Sequence, residues 1–303
     1  MAHGSKTVIY AALAGNTLIS ITKFAAASMT GSAAMLAEGG HSLVDTGNQA
    51  LLLLGLKRAK RPPSEDFPFG HGKEIYFWSF IVAILIFAAG AGVSIYEGVH
   101  RVMHPEPVTN PMINFVVLGL AVIFEGGAWF MALREFRAQQ GNRGFTDAIK
   151  HSKDPTVFVV LFEDTAALLG LMVAMIGLVL ATQFNLPIFD GIASIVIGLI
   201  LAFTAIWLAR ETKSLLIGEA ADPELVADVR RRAAEISEVD NVNEVLTLHM
   251  GPDYILLTLS VDFADEVKAG ELEQVIESLT QEVRAAHPEI KRVFVEAESV
   301  KSA

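Results

Sequence analysis

The sequence predicts a membrane protein in which a bundle of six transmembrane α-helices is followed by a small α+β domain. Three observations support this fold class. Of the 303 residues, 52% are hydrophobic and the mean hydropathy is +0.45, above the range of water-soluble proteins. Apolar stretches of about 20 residues, the length needed to cross about 30 Å of hydrocarbon, recur up to residue 216. Beyond that position acidic residues accumulate and apolar residues become periodic, so we expect domains at residues 1–216 and 217–303.

Six segments have the length and apolar character of a membrane-spanning helix. They cover residues 7–29, 33–56, 75–100, 112–136, 156–184 and 188–208. We expect the first to be retained as a helix rather than removed as a signal peptide, because it is longer than a typical signal-peptide core. Asp154 and Pro155 predict the start of the fifth, with Asp154 as the N-cap and Pro155 at the first helical position.

The loops between these segments alternate in charge. Basic residues cluster after the second, fourth and sixth segments, whereas the loops after the first, third and fifth carry at most one Lys or Arg. By the positive-inside rule, both termini are predicted to face the cytoplasm. In a bacterial cell, α-helical spans would place the protein in the inner, or plasma, membrane.

The C-terminal region predicts the element order αββαβ. Asp222-Pro223 opens a helix, residues 242–250 and 254–263 alternate as two strands, residues 272–283 follow helical spacing, and residues 292–296 form a last strand. This order predicts a ferredoxin-like unit, one sheet with both helices on one face. Because about 80 residues give a marginal core, a second copy across a dimer axis would help to bury the sheet.

The second segment contains the feature on which the functional interpretation depends. His41 and Asp45 lie four positions apart and therefore on one helical face, which Glu38 and Asn48 extend. A neutral imidazole and a carboxylate placed in this way can bind a divalent cation. The alternative is a buried His–Asp hydrogen bond that only fixes helix packing. Ionisable groups inside a membrane are costly, which favours the functional interpretation.

Further carboxylates are predicted at a similar depth. At 1.5 Å per residue along a helix, Glu125, Glu163 and Asp164 all reach the middle of the membrane. The chain has no cysteine, so a metal would be held by His, Asp, Glu, Asn or water. We therefore expect a cation site near the midplane. Lys23 lies near the outer end of its helix, and we expect it to extend towards the lipid headgroups.

The loop after the second segment contains Glu65, Asp66 and His71. Two carboxylates and an imidazole suit a weakly held divalent ion, which makes a second, cytoplasmic loop site one interpretation. A solvated charged loop is the other.

Taken together, these motifs resemble the cation diffusion facilitator family of divalent metal transporters. The motifs are Thr30-Gly31-Ser32, the run from His41 to Asp45, the run from Phe69 to Lys73, Asp164 six residues before Gly170, and Asp190-Gly191. Residues 74–79, 104–107 and 153–158 are similar to the zinc-transporter-nine branch. The resemblance implies a homodimer, held together by its cytoplasmic domain, that exchanges cytoplasmic metal for protons by alternating access. Such a protein is a secondary active transporter and not an enzyme.

The chain departs from the family pattern on the fifth segment. The resemblance implies a metal ligand four positions before Asp164, where this chain has Val160. Zn²⁺ takes four nitrogen or oxygen donors, and His41, Asp45 and Asp164 supply three. The remaining candidates are Glu163, which we rank first, Glu38, Glu125 and water. In the C-terminal domain, Asn243 and Leu259 occupy positions where zinc-binding members have histidines, so we expect a dimerising domain without a metal site there.

We interpret the chain as a proton-coupled antiporter that moves a divalent metal out of the cytoplasm, with zinc first and manganese, iron or cobalt as alternatives. The expected partners are a second copy, the metal, the proton and membrane lipid, with no resident cofactor and no nucleic acid. Two alternative interpretations are disfavoured. A membrane metalloenzyme is disfavoured because the Glu-x-x-His spacing of di-metal bundles occurs once, at Glu38 and His41. A non-transporting scaffold is disfavoured by the intact set His41, Asp45 and Asp164.

Overall fold

The computed structural model describes residues 2–30, 33–105, 111–140, 144, 152–184 and 186–299. Side chains are described throughout these ranges except at residues 2–5, 27, 29–30, 33–41 and 139–140. The chain divides into two compact units. One combines Met1–Arg58 with Glu74–Lys213, and the other combines Ala59–Lys73 with Ser214–Ala303. The loop between the second and third predicted segments therefore belongs with the C-terminal unit.

The first unit consists of long helices. They are α1 (Ala2–Thr30), α2 (Ala33–Ala59), α3 (Glu74–Leu85), a π-helical segment (Ile86–Gly92), α4 (Val93–Met103), α5 (Pro111–Gln140), α6 (Pro155–Gln183) and α7 (Ile188–Ile217). The helices α3 and α4 are continuous through the π-helical segment, so together they form one helix over Glu74–Met103.

Five helices in the described part of the chain are long and apolar enough to cross a membrane: α1, the helix formed by α3 and α4, α5, α6 and α7. The predicted second span forms α2, which has 27 residues. It is long enough to cross a membrane, but its polar residues lower its hydropathy below that of the other five helices. A total of six spans therefore stays a prediction.

The predicted start of α6 is confirmed. Asp154 is the N-cap and accepts a hydrogen bond from the backbone N–H of Thr156 at 3.0 Å, with Pro155 in the first turn. An N-cap of this kind stabilises a helix by about 1 kcal/mol. The indole of Trp129 on α5 donates to the hydroxyl of Thr165 on α6 at 2.9 Å.

Glycines allow α4 and α7 to cross at very short range. A Cβ placed on Gly98 would lie 2.7 Å from the backbone nitrogen of Ile195 and 2.8 Å from the carbonyl oxygen of Gly191. A Cβ on Gly191 would lie 2.8 Å from the carbonyl oxygen of Gly98. Real side chains do not approach this closely, so the crossing requires glycine on both helices.

The second unit contains a mixed three-stranded sheet. Its elements are α8 (Pro223–Ala234), β1 (Val239–Gly251), β2 (Tyr254–Phe263), α9 (Ala269–Ala286) and β3 (Ile290–Ala297), so the predicted order αββαβ is confirmed. The strands lie in the order β1-β2-β3, with β1 and β2 antiparallel and β2 and β3 parallel.

Both helices of this unit contribute to one apolar core. Val229 on α8 and Val283 on α9 are fully buried in the same cluster as Leu257 and Leu259 on β2. Leu246 on β1 and Phe294 on β3 flank Thr258 in the register of the sheet, and they are 53% and 46% exposed. The sheet therefore leaves large apolar side chains uncovered at this register, away from the fully buried positions of β2.

Candidate metal site

A cavity of about 150 Å³ lies inside the first unit. The helices α1, α2, α3, α4, α5, α6 and α7 and the π-helical segment all contribute residues to its wall. Its described ionisable lining residues are Lys23, Asp45, Glu97, Glu125, Glu163 and Asp164. Carboxylates therefore outnumber amines in a partly open chamber between the helices.

The structure brings together four of the residues that the sequence predicts for a cation site. Asp45 on α2, Glu125 on α5, and Glu163 and Asp164 on α6 all line the cavity. Although Glu163 and Asp164 lie about 100° apart around their helix, both reach the cavity. Val160, at the position of the missing family ligand, is fully buried and does not line it.

Glu163 is held by two amides on α2. Asn48 Nδ2 donates to Glu163 Oε1 and Gln49 Nε2 donates to Glu163 Oε2, both at 3.0 Å. Gln49 Oε1 in turn accepts from Asn16 Nδ2 on α1 at 3.4 Å. Because both oxygens of Glu163 already have donors, a metal bound to this carboxylate would compete with those hydrogen bonds.

Asp164 has a different environment. Its side chain is 1% exposed, and its Oδ2 atom has no hydrogen-bond partner in the described part of the structure. A buried carboxylate oxygen without a donor is costly, and a cation is one species that removes the cost.

The prediction for Lys23 is wrong. The side chain is 7% exposed and lines the cavity, and its ammonium group donates to Ser42 Oγ on α2 at 2.9 Å. The hydroxyl of Ser42 and the nearby carboxylates offer the amine polar partners inside the bundle, so it does not need to reach the headgroups.

The side chains of Glu38 and His41 lie outside the described residues, although both positions belong to α2. No group of three His, Asp or Glu side chains suitable for a metal is present among the side chains that are described. Glu65, Asp66 and His71 are all described, and the His71 ring lies 4.6 Å from the ring of Phe67.

Several residues in or beside the cavity were not singled out from the sequence. Gln49 holds Glu163, while Ser94 and Glu97 line the wall on α4. The available signal was the same for each of them, a polar side chain within a predicted apolar span.

Comparison with known proteins identifies the family. Residues 9–217, more than half of the chain, match the cation efflux transmembrane domain. The chain belongs to the cation diffusion facilitator family. Together with the five apolar helices of the described part, this membership makes it a multi-pass membrane protein.

Relatives of this cation diffusion facilitator include transporters named for zinc and manganese. It is 33% identical over 261 residues to metal tolerance protein C4 of Arabidopsis thaliana, covering 86% of this chain and 57% of the relative. It is 31% identical over 266 residues to the proton-coupled zinc antiporter SLC30A9, mitochondrial, of Homo sapiens, covering 87% and 47%. It is 25% identical over 302 residues to the manganese efflux system protein MneP of Bacillus subtilis, covering 98% and 94%.

The chain thus spans about half the length of the first two relatives. The predicted similarity to the zinc-transporter-nine branch is confirmed by these matches.

Proposed function

We propose that this cation diffusion facilitator is a proton-coupled antiporter that carries a divalent metal, zinc first, out of the cytoplasm through the cavity of its helical unit. The observation that carries the proposal is the meeting of Asp45, Glu125, Glu163 and Asp164 in one chamber of a membrane protein. The name of the human relative, a proton-coupled zinc antiporter, supports the same activity.

The charge balance of the chamber explains why metal and protons would exchange. Five carboxylates, those of Asp45, Glu97, Glu125, Glu163 and Asp164, line the chamber together with a single described amine, that of Lys23. Uncompensated charge is expensive inside a membrane, so the carboxylates need a cation or protons at every stage of the cycle. A metal that leaves on one side would therefore be replaced by protons, and their release would accompany the next metal.

We assign His41, Asp45 and Asp164 as metal ligands, with Glu163, Glu38 and Glu125 as further candidates. The imidazole of His41 suits this role because an imidazole binds metal only when it is neutral, so that metal binding and protonation exclude each other. The loop residues Glu65, Asp66 and His71 remain candidates for a weak second site.

The topology follows from the same proposal. We assign α2 as the sixth span because it is long enough and carries residues of the metal path, and loop charges put both termini in the cytoplasm. The domains would then be residues 1–216 for transport and residues 217–303 for dimerisation, the latter as a ferredoxin-like fold. The exposed Leu246 and Phe294 support a homodimer, since a second copy would cover them.

Manganese is the second candidate substrate, with iron and cobalt after it. Carboxylate oxygens line the cavity and no cysteine occurs in the chain, a donor set that admits hard ions. The relative named for manganese efflux is aligned over 98% of this chain.

The test is metal-dependent proton flux in proteoliposomes that contain a pH-sensitive dye. Zn²⁺, Mn²⁺, Fe²⁺ and Co²⁺ are supplied in turn to wild type, to Asp164→Ala and to Glu135→Ala, whose carboxylate on α5 lies outside the cavity lining. We expect Asp164→Ala to lose at least about tenfold in flux, because binding loses a charged ligand, while Glu135→Ala retains it. The ion with the largest wild-type signal identifies the substrate.

Wild-type flux in Asp164→Ala would overturn the assignment of the cavity as the transport path. If folded wild-type protein moved protons with none of the four ions, the transporter proposal itself would fail in favour of a scaffold.

A further inference from the structure

Asn48 has an amide oxygen that the described structure leaves unused. The side chain is 1% exposed and lines the cavity. Its Nδ2 atom donates to Glu163 Oε1 at 3.0 Å, so the nitrogen is the end that faces Glu163. The Oδ1 atom is therefore the free end, and it has no hydrogen-bond partner in the described part of the structure.

A second oxygen in the same cavity shares this property. Asn48 Oδ1 on α2 and Asp164 Oδ2 on α6 are both buried, and both lack a hydrogen-bond partner among the described residues. Buried oxygens normally have a hydrogen-bond partner, so a bound cation would satisfy two unpaired acceptors that line one chamber. Asp45, three residues before Asn48 and on the same side of α2, also lines the chamber.

We propose that Asn48 Oδ1 is a ligand of the transported metal, and that it supplies the donor missing at Val160. The inference rests on the proposed function and deepens it. Glu163 then becomes a positioning residue: its carboxylate holds the Asn48 amide so that the oxygen is presented to the metal beside Asp164.

The chemistry of an amide oxygen adds a prediction about selectivity. It is a neutral, hard donor of the kind that suits Mn²⁺, whereas Zn²⁺ gains more from imidazole nitrogen. An amide in place of the family's fifth-helix ligand therefore moves the site towards manganese relative to a site with a second imidazole.

The neighbouring residue offers a matched control. Gln49 also donates to Glu163 at 3.0 Å, but its own oxygen accepts from Asn16. Asn48 and Gln49 thus give Glu163 equivalent support, and among the described contacts they differ in that Asn48 alone has a spare oxygen. A role confined to positioning Glu163 would make the two residues equally important.

The experiment measures the Kd of Mn²⁺ and of Zn²⁺ by titration calorimetry on the purified full-length protein in detergent. Wild type is compared with Asn48→Leu and Gln49→Leu, which remove each amide at similar volume. We expect Asn48→Leu to weaken Mn²⁺ binding at least about tenfold and Zn²⁺ binding less, because a ligand of the hard ion is lost. We expect Gln49→Leu to change either Kd by less than about threefold.

A third variant separates ligation from positioning. The double variant Asn48→Asp/Glu163→Gln keeps an oxygen at residue 48 and an N–H donor between residues 48 and 163, while the new amide oxygen can still accept from Gln49. A ligand role therefore predicts Mn²⁺ affinity at or above that of wild type. This variant also carries the test if Asn48→Leu does not fold, and a tenfold weaker Mn²⁺ affinity in it would overturn the inference.

Equal losses in Asn48→Leu and Gln49→Leu would show that Asn48 acts through Glu163, and unchanged affinity in Asn48→Leu would show that water satisfies the oxygen. Either result overturns the inference but leaves the transporter proposal intact. Wild-type protein that binds neither metal would overturn both.

Discussion

Asp228 joins the two helices of the C-terminal unit. On α8 it pairs with Arg232 Nε at 2.7 Å, and it contacts Nε2 of His287, the residue that follows α9, at 2.8 Å. Arg232 continues to Glu282 on α9 at 2.7 Å. Hydrogen bonds from Arg232, from His287 and from Arg231 hold the pKa of Asp228 well below its usual range. The ionised form is therefore favoured in the folded protein.

We predict that Asp228→Asn lowers the unfolding temperature of the full-length protein by several degrees at pH 7. A depressed folded-state pKa stabilises the fold above the unfolded-state value of about 3.9, and this contribution is lost as the pH falls towards the folded-state value. The difference between wild type and variant should accordingly shrink below about pH 4. Thermal unfolding of both proteins from pH 7 to pH 3 measures this difference in unfolding temperature.

The control is Glu235→Gln, which removes one exposed ion pair to Arg231. Such pairs contribute little, so its unfolding temperature should stay within about 1 °C of wild type. A gap between wild type and Asp228→Asn that stayed constant with pH would contradict the linkage.

At the scale of elements, the crossing of α4 and α7 makes a prediction with opposite signs at two glycines. Gly98→Ala should destabilise the protein by about 1–3 kcal/mol, because the methyl group meets the backbone of α7. On α5, a Cβ at Gly119 has no heavy atom within 4 Å. Gly119→Ala should therefore be neutral or stabilise by up to about 1 kcal/mol, since alanine favours a helix more than glycine. Thermal unfolding in one detergent compares the two.

Stability loss of similar size in both variants would mean that helix propensity or lipid packing, rather than the close crossing, determines the response. The metal-dependent flux of Gly98→Ala should fall only in proportion to the fraction of protein that is folded, because neither Gly98 nor Gly191 lines the cavity.

The elements themselves were largely predictable from the sequence, because hydrophobic length and period determine them. Helical spans follow from apolar length, β2 from alternation, and the start of α6 from Asp154 and Pro155. The π-helical segment was not predictable, since its residues differ little from an ordinary apolar helix.

The candidate site was predictable in part. Membrane depth was enough to bring Asp45, Glu125, Glu163 and Asp164 to one level, but depth says nothing about which side chains meet across helices. The packing of α1, α2 and α6 determines that Lys23 lies next to Ser42. It also determines that Asn48 and Gln49 donate hydrogen bonds to Glu163. Those contacts join residues as far as 115 positions apart and leave no local pattern.

At the scale of the whole molecule, the proposed homodimer makes its own prediction. Leu246→Glu should raise the dimer dissociation constant at least about tenfold, because an ionised side chain would have to be buried without a partner. Gln281→Glu adds the same charge on exposed α9 and should leave the dimer intact. Light scattering after size-exclusion chromatography measures the mass of both. A full dimer in Leu246→Glu at the same concentration would exclude this face as the interface.

The π-helical segment Ile86–Gly92 has a consequence for rotation. It bonds each residue to the fifth along rather than the fourth, so it holds one residue more than an α-helix of the same number of turns. Converting it to α-helix would turn everything after it by about 100° and carry Ser94 and Glu97 out of the cavity wall. Such a turn would also move Gly98 away from Gly191 and bring larger side chains against the backbone of α7, where only glycine fits. The π-helical segment and the glycine crossing therefore hold Ser94 and Glu97 in the cavity wall together.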